Sequence, residues 1–161
     1  MKIALIVAGV GAATLVALFV ARALLPSGEG PVIRVRDVPR AIDELGKKGG
    51  EHSFLVFMFD PPGRSGADAI NLQLSIEKGR VGLDWVLLSP SNQADRPTVE
   101  AFIRQRGHTW REEDVNRVRF LRVEDGDLSA LASAILTDLY KLTPEARLET
   151  VVEGFRLEFD R

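Results

Sequence analysis

Between positions 70 and 87 the chain has almost no freedom of arrangement. Ile70, Leu72, Leu74 and Ile76 alternate with Asn71, Gln73, Ser75 and Glu77, the period of a half-buried strand. Val81, Leu83, Trp85 and Leu87 repeat that period after Lys78-Gly79-Arg80. A turn at Lys78-Gly79 pairs Glu77 with Arg80, Ile76 with Val81, Leu74 with Leu83 and Leu72 with Trp85. Every apolar pair then shares one face, and the first polar pair joins opposite charges. A slip of one residue would turn each apolar side chain to the wrong side, so the pattern itself sets the register.

The surrounding segments predict what packs on that hairpin. Val38, Ala41, Ile42 and Leu45 make one apolar stripe of a helix, with Asp37 as its cap, Pro39 in its first turn and Gly46 as its stop. Residues 54–59 are a continuous apolar run, consistent with a strand buried on both faces. Residues 89–95 read as loop, and a second helix opens at Pro97 with Val99, Phe102 and Ile103 on its apolar face. Residues 108–112 and 118–123 read as strands around a turn at 114–117. A third helix runs from about Asp127 to Leu142, and residues 148–159 form a last strand or two interrupted at Gly154. From Asp37 the order is α-β-β-β-α-β-β-α plus C-terminal strand, an α+β fold with helices packed on an antiparallel sheet. The 161 residues suit one domain, at 37–161, with an appendage.

That appendage is apolar. Residues 3–21 are 19 positions without a charge, long enough to cross a bilayer core of about 30 Å at about 1.5 Å per residue. The run continues through Arg22 to Leu25, so residues 1–25 are read as a transmembrane anchor and 26–36 as a linker, with Val32 to Val35 a short extended piece. A cleaved signal peptide is the rival reading, with Ala21-Arg22-Ala23 fitting a cleavage site. Arg22, Arg34, Arg36 and Arg40 beyond the span favour the domain on the cytoplasmic side; cleavage would instead make it periplasmic or secreted.

Chemistry-bearing residues are sparse. The chain has no Cys, which removes disulfides, thiolate metal sites and a cysteine nucleophile. His52 and His108 lack ligand-like spacing, and Glu112-Glu113-Asp114 reads as a solvated turn before a cation site. No cofactor motif is present; residues 63–66 lack the pattern of a phosphate loop. Asp84, on the polar side of its strand opposite Gln73, reads as a hydrogen-bonded surface acid. Arg104, Arg106, Arg111, Arg117, Arg119 and Arg122 form the densest basic stretch, but interleaved acids and a net charge of −2 argue against nucleic acid.

The element order resembles the type III secretion chaperone-like fold over residues 37–142. The local texture that accompanies it is Gly82-Leu83-Asp84-Trp85, Phe102-Ile103-Arg104-Gln105-Arg106-Gly107 and Leu139-Tyr140. The resemblance implies a non-enzymatic module that binds another polypeptide, here held at a membrane through residues 3–25. It also implies weak dimers around the second helix and the strand after it. Trp85, Val99, Phe102, Ile103 and Trp110 are the candidate protein-contact residues. A toxin-neutralising or envelope accessory protein is the alternative within the binding class. A small hydrolase using exposed carboxylates such as Asp60 and Asp84 is the alternative outside it.

Overall fold

The structure, a computed structural model, describes residues 31–64, 69–115 and 117–158. The expected membrane anchor lies outside these residues, as do Ser65 and Gly66. Among the described residues no helix is long and apolar enough to cross a membrane.

Seven antiparallel strands form one sheet. In chain order they are β1 (Val32–Arg34), β2 (Phe54–Phe59), β3 (Ile70–Glu77), β4 (Arg80–Val86), β5 (Arg111–Val115), β6 (Val118–Val123) and β7 (Arg147–Glu153). Across the sheet they run β1-β7-β2-β3-β4-β6-β5. The helices are α1 (Val38–Lys48), α2 (Pro90–Gln105) and α3 (Leu128–Ala134). The α+β class and the element order agree with the sequence reading. β1 adds a short edge strand, so the extended piece expected within the linker belongs to the sheet.

The β3–β4 hairpin has the expected register: Glu77 opposite Arg80, Ile76 opposite Val81 and Leu74 opposite Leu83, continuing to Gln73 opposite Asp84. Lys78 (φ 53°) and Gly79 (φ 70°) both take positive φ, as the tight turn that suits strand twist requires. The Glu51 carboxylate accepts hydrogen bonds from both turn amides, at 2.6 and 2.9 Å, and these bonds hold it below the usual carboxylate range.

Five boundaries differ from expectation: β5 covers Arg111–Val115 and not 108–112, and the other four have local reasons. α2 starts at Pro90, seven positions before Pro97, because the Ser89 hydroxyl caps it by accepting from the Asn92 amide at 3.1 Å. Pro97 is carried inside the helix, where it removes one backbone donor. α1 runs past Gly46 to Lys48, and Asp37, though it stands at the cap position, makes no cap bond. Its carboxylate accepts instead from the Arg34 amide. α3, capped by Asp127, widens into a π turn over Ile135–Leu139 and ends at Tyr140, two residues short of Leu142. β7 stops at Glu153, followed by Gly154 at φ 81°, and no second C-terminal strand follows among the described residues.

All three helices pack on one face of the sheet. Ala41, Ile42 and Leu45 of α1, Val99 and Ile103 of α2, and Leu131 and Ala132 of α3 join Leu55, Phe57, Leu72, Leu74, Leu83 and Leu121 in one buried core. Each large side chain there contributes roughly 1.5–3 kcal/mol by leaving water. The opposite face holds two smaller apolar clusters. One is Phe54, Val56 and Met58 with Val151; the other is Val86, Val118 and Phe120 with Val115. Among the described residues both are built of strand residues alone.

The expectation of a half-buried β3 is therefore corrected. Asn71, Gln73 and Ser75, assigned to solvent by their alternation, are 6%, 1% and 5% exposed. Alternation separates two faces of a strand but does not say which of them meets water.

Candidate functional site

Between the two apolar clusters of the helix-free face lies a buried polar strip. Register places its members in one row across the sheet: Arg111 of β5 opposite Arg122 of β6, Arg122 opposite Asp84 of β4, and Asp84 opposite Gln73 of β3. The row continues through Val56 of β2 to Val151 of β7. Asp84 is 2% exposed and Arg122 1%. The reading of Asp84 as a surface acid is corrected, and it is not the exposed carboxylate on which a hydrolase reading relied.

The geometry is that of a fully paired ion cluster. Arg122 Nη1 donates to Asp84 Oδ1 at 2.8 Å and to Ser75 Oγ at 2.8 Å, while the Ser75 hydroxyl donates to Asp84 Oδ2 at 2.6 Å. Arg122 Nε donates to Glu124 Oε1 at 2.7 Å, and Glu124 also receives Arg111 and Arg80. Arg111 and Arg122 face each other on adjacent strands, a repulsive pair that Glu124 neutralises by accepting from both. Gly82 makes room for the guanidinium. A Cβ at that position would stand 2.3 Å from Arg122 Cζ. Gly82→Ala should therefore displace a guanidinium pinned by several hydrogen bonds, lowering the denaturant midpoint without changing the slope of unfolding.

Burial pushes the Asp84 carboxyl up to about 6, outweighing the downward pull of Arg122 and Ser75. Glu124 is held down to about 2, chiefly by the hydrogen bond from Arg111, with Arg122 adding to it against partial burial. The two make opposite contributions to stability. Asp84 binds its proton more tightly folded than unfolded, so its contribution is greatest below about pH 4 and is lost as pH rises towards 6. Glu124 contributes above its unfolded value of about 4.5 and loses that contribution as pH falls towards 2. Urea midpoints of the wild type and Asp84→Asn between pH 4 and 6.5 separate them: the difference between the two proteins should change across this window and be constant above it.

One atom of the strip lacks a partner among the described residues: Gln73 Oε1 is buried and accepts no hydrogen bond from any of them. A cavity of about 20 Å³ adjoins it, lined by Gln73, Glu77, Asp84, Val86, Val118 and Phe120 among others. That is room for about one water molecule or a small group with a donor.

The five candidate contact residues separate into two sets. Trp85, Val99 and Ile103 are fully buried in the main core, so they offer no contact surface in this fold. The Trp85 indole donates to the Asn92 carbonyl at 3.0 Å and stacks on Tyr140, which satisfies its polar edge inside the core. Phe102 and Trp110 are half-buried against that core, and each carries a guanidinium over its ring, Arg106 at 4.8 Å and Arg104 at 5.0 Å. The basic stretch is likewise compensated: Arg106 pairs with Asp138, Arg119 with Glu112, and Arg111 with Glu113 and Glu124. Glu112 and Glu113 thus have arginine partners, and no group of three or more potential metal ligands occurs among the described residues. His108 Nδ1 lies 2.9 Å from the Asp125 carbonyl, and His52 sits in a turn at φ 67°. The strip itself escaped the sequence reading; the signal available for it was Gly82 and Asp84 two apart on an otherwise apolar strand.

The chain matches no protein-family model, no curated protein and no solved structure.

Proposed function

We propose that this chain is a non-enzymatic, membrane-tethered binding module whose helix-free sheet face takes up an apolar polypeptide segment. One observation carries the reading. Among the described residues the clusters on that face draw on strands only, yet Phe54 and Val86 are 3% and 2% exposed, values of an interior and not of a solvated sheet. Two apolar clusters beside a polar strip also have the make-up of an interface, where a central polar group fixes alignment and apolar contact supplies affinity. The resemblance to a chaperone-like fold points the same way.

The test is co-purification from native membranes with variants on the two sides of the sheet. A stoichiometric polypeptide retained by wild type and by Trp110→Ala, but lost from folded Val56→Glu and Phe120→Glu, supports the reading. Retention by both glutamate variants overturns it. Turnover by the purified chain that Asp60→Asn abolishes would support the hydrolase alternative instead.

A further inference from the structure

We propose that the cavity beside Gln73 is a binding site for the head of an aliphatic primary ammonium ion. The site lies on the helix-free face and goes beyond the uptake of an apolar segment there.

Among the described residues the wall of the cavity presents acceptors and no free donor. Its polar members are Gln73, Glu77 and Asp84, and its apolar members are Val86, Val115, Val118 and Phe120. The donors nearby are spent within the strip. The Ser75 hydroxyl goes to Asp84, and the Arg122 guanidinium goes to Asp84, Ser75 and Glu124. The Gln73 amide nitrogen faces Asp84 Oδ2 at 3.4 Å, which sets the orientation of that side chain, since an amide oxygen there would oppose a carboxylate. Gln73 is 1% exposed, and its Oε1 is left without a donor among the described residues. An acceptor buried in this way points to a ligand that donates.

Charge decides which kind of donor. Arg80 stands opposite Glu77 in the register, yet its guanidinium pairs with Glu124 at 3.0 Å. Arg122 pairs with Asp84, and Arg111 with Glu113 and Glu124. Glu77 therefore brings to the cavity a carboxylate with no ion pair among the described residues. A water molecule would donate to this wall, but its lone pairs would find no donor there. A primary ammonium carries N–H donors only, enough for the Gln73 carbonyl and both carboxylates.

Size selects among cations. A cavity of about 20 Å³ admits one water-sized group, which an ammonium head matches and a guanidinium fork does not. A calcium or magnesium ion takes about six oxygen ligands or more, beyond what these side chains supply. Glu77 and Val115 are half-buried while the other lining residues are buried, so the alkyl chain leaves between those two. A free alkylamine and the lysine of a bound polypeptide carry the same head and chain.

The test is a titration of the full chain with n-butylammonium chloride at constant ionic strength, followed by the methyl shifts of Val86 and Val118. Saturable shifts should appear, with binding about tenfold weaker in Glu77→Gln and in Gln73→Met, each of which removes one charged or neutral acceptor. 1-Butanol and n-butylguanidinium chloride should leave the same methyl groups nearly unmoved. Absence of a saturable shift overturns the proposal and makes the cavity a site for water. Equal binding by wild type and both variants overturns it too, as does equal binding of the guanidinium. An apolar peptide with one central lysine, against the same peptide acetylated at that lysine, then separates the sources. Competition by the lysine form alone supports a polypeptide ligand; competition by neither, beside binding of the free amine, supports a small alkylamine. None of these titrations reads the polypeptide capture that Val56→Glu tests, so the two proposals fail separately.

Discussion

Leucine at position 84 should cost the fold about 3 kcal/mol, because it leaves the Arg122 guanidinium and the Ser75 hydroxyl buried with no oxygen acceptor there. The loss comes from the stranded donors, which a neutral carboxyl would still satisfy. Glu124 would still hold Arg122 Nε, which keeps the cost at the lower end of what breaking a buried pair brings. Asp84→Leu combined with Arg122→Met removes both charges and should recover most of the stability, since burying an ion pair yields little over a well-packed apolar pair. The double variant strips Ser75 of two partners, so recovery stays incomplete. Urea unfolding of Asp84→Leu, Arg122→Met and the double variant measures the coupling. Additive losses would mean that Asp84 and Arg122 do not act as a pair.

Leu74→Asp should be larger still. Leu74 is fully buried between Leu55 and Leu83 on the helix-covered face, and a carboxylate there has no partner among its apolar neighbours. A cost of several kcal/mol, on the order of the whole stability of a small domain, should leave the variant largely unfolded at room temperature. Ser75→Asp, on the other face of the same strand, should also destabilise, because it sets a second carboxylate beside Asp84. Circular dichroism melts of both rank them. A native-like melt for Leu74→Asp would mean that the hairpin register is wrong.

What could be read from the sequence divides along the sheet. The β3–β4 register was legible because period-two alternation, a Gly at the turn and an Arg80–Glu77 pair all agree. The three helices were legible by their apolar stripes, although capping by Ser89 starts α2 seven residues before the opening expected at Pro97. The second face was not legible. Asn71, Gln73, Ser75 and Asp84 look solvated in a linear reading, and only strand order brings Arg122, 38 positions away from Asp84, beside them. Long-range pairing of this kind leaves no local periodicity. The same limit makes Trp85, Val99 and Ile103 read as contact residues. Their apolar character marks burial, and burial against the chain's own helices looks identical, in one dimension, to burial against a partner.

Valine-methyl labelling of the full chain, followed by nuclear Overhauser spectroscopy, tests the helix-free face most directly. Val56, Val86 and Val118 are buried there at 6%, 2% and 6% exposure. The account predicts cross-peaks from these methyl groups to protons that belong to none of the seven strands. Cross-peaks only to neighbouring strand residues and to water would contradict it, because the face would then be an open sheet surface with nothing bound.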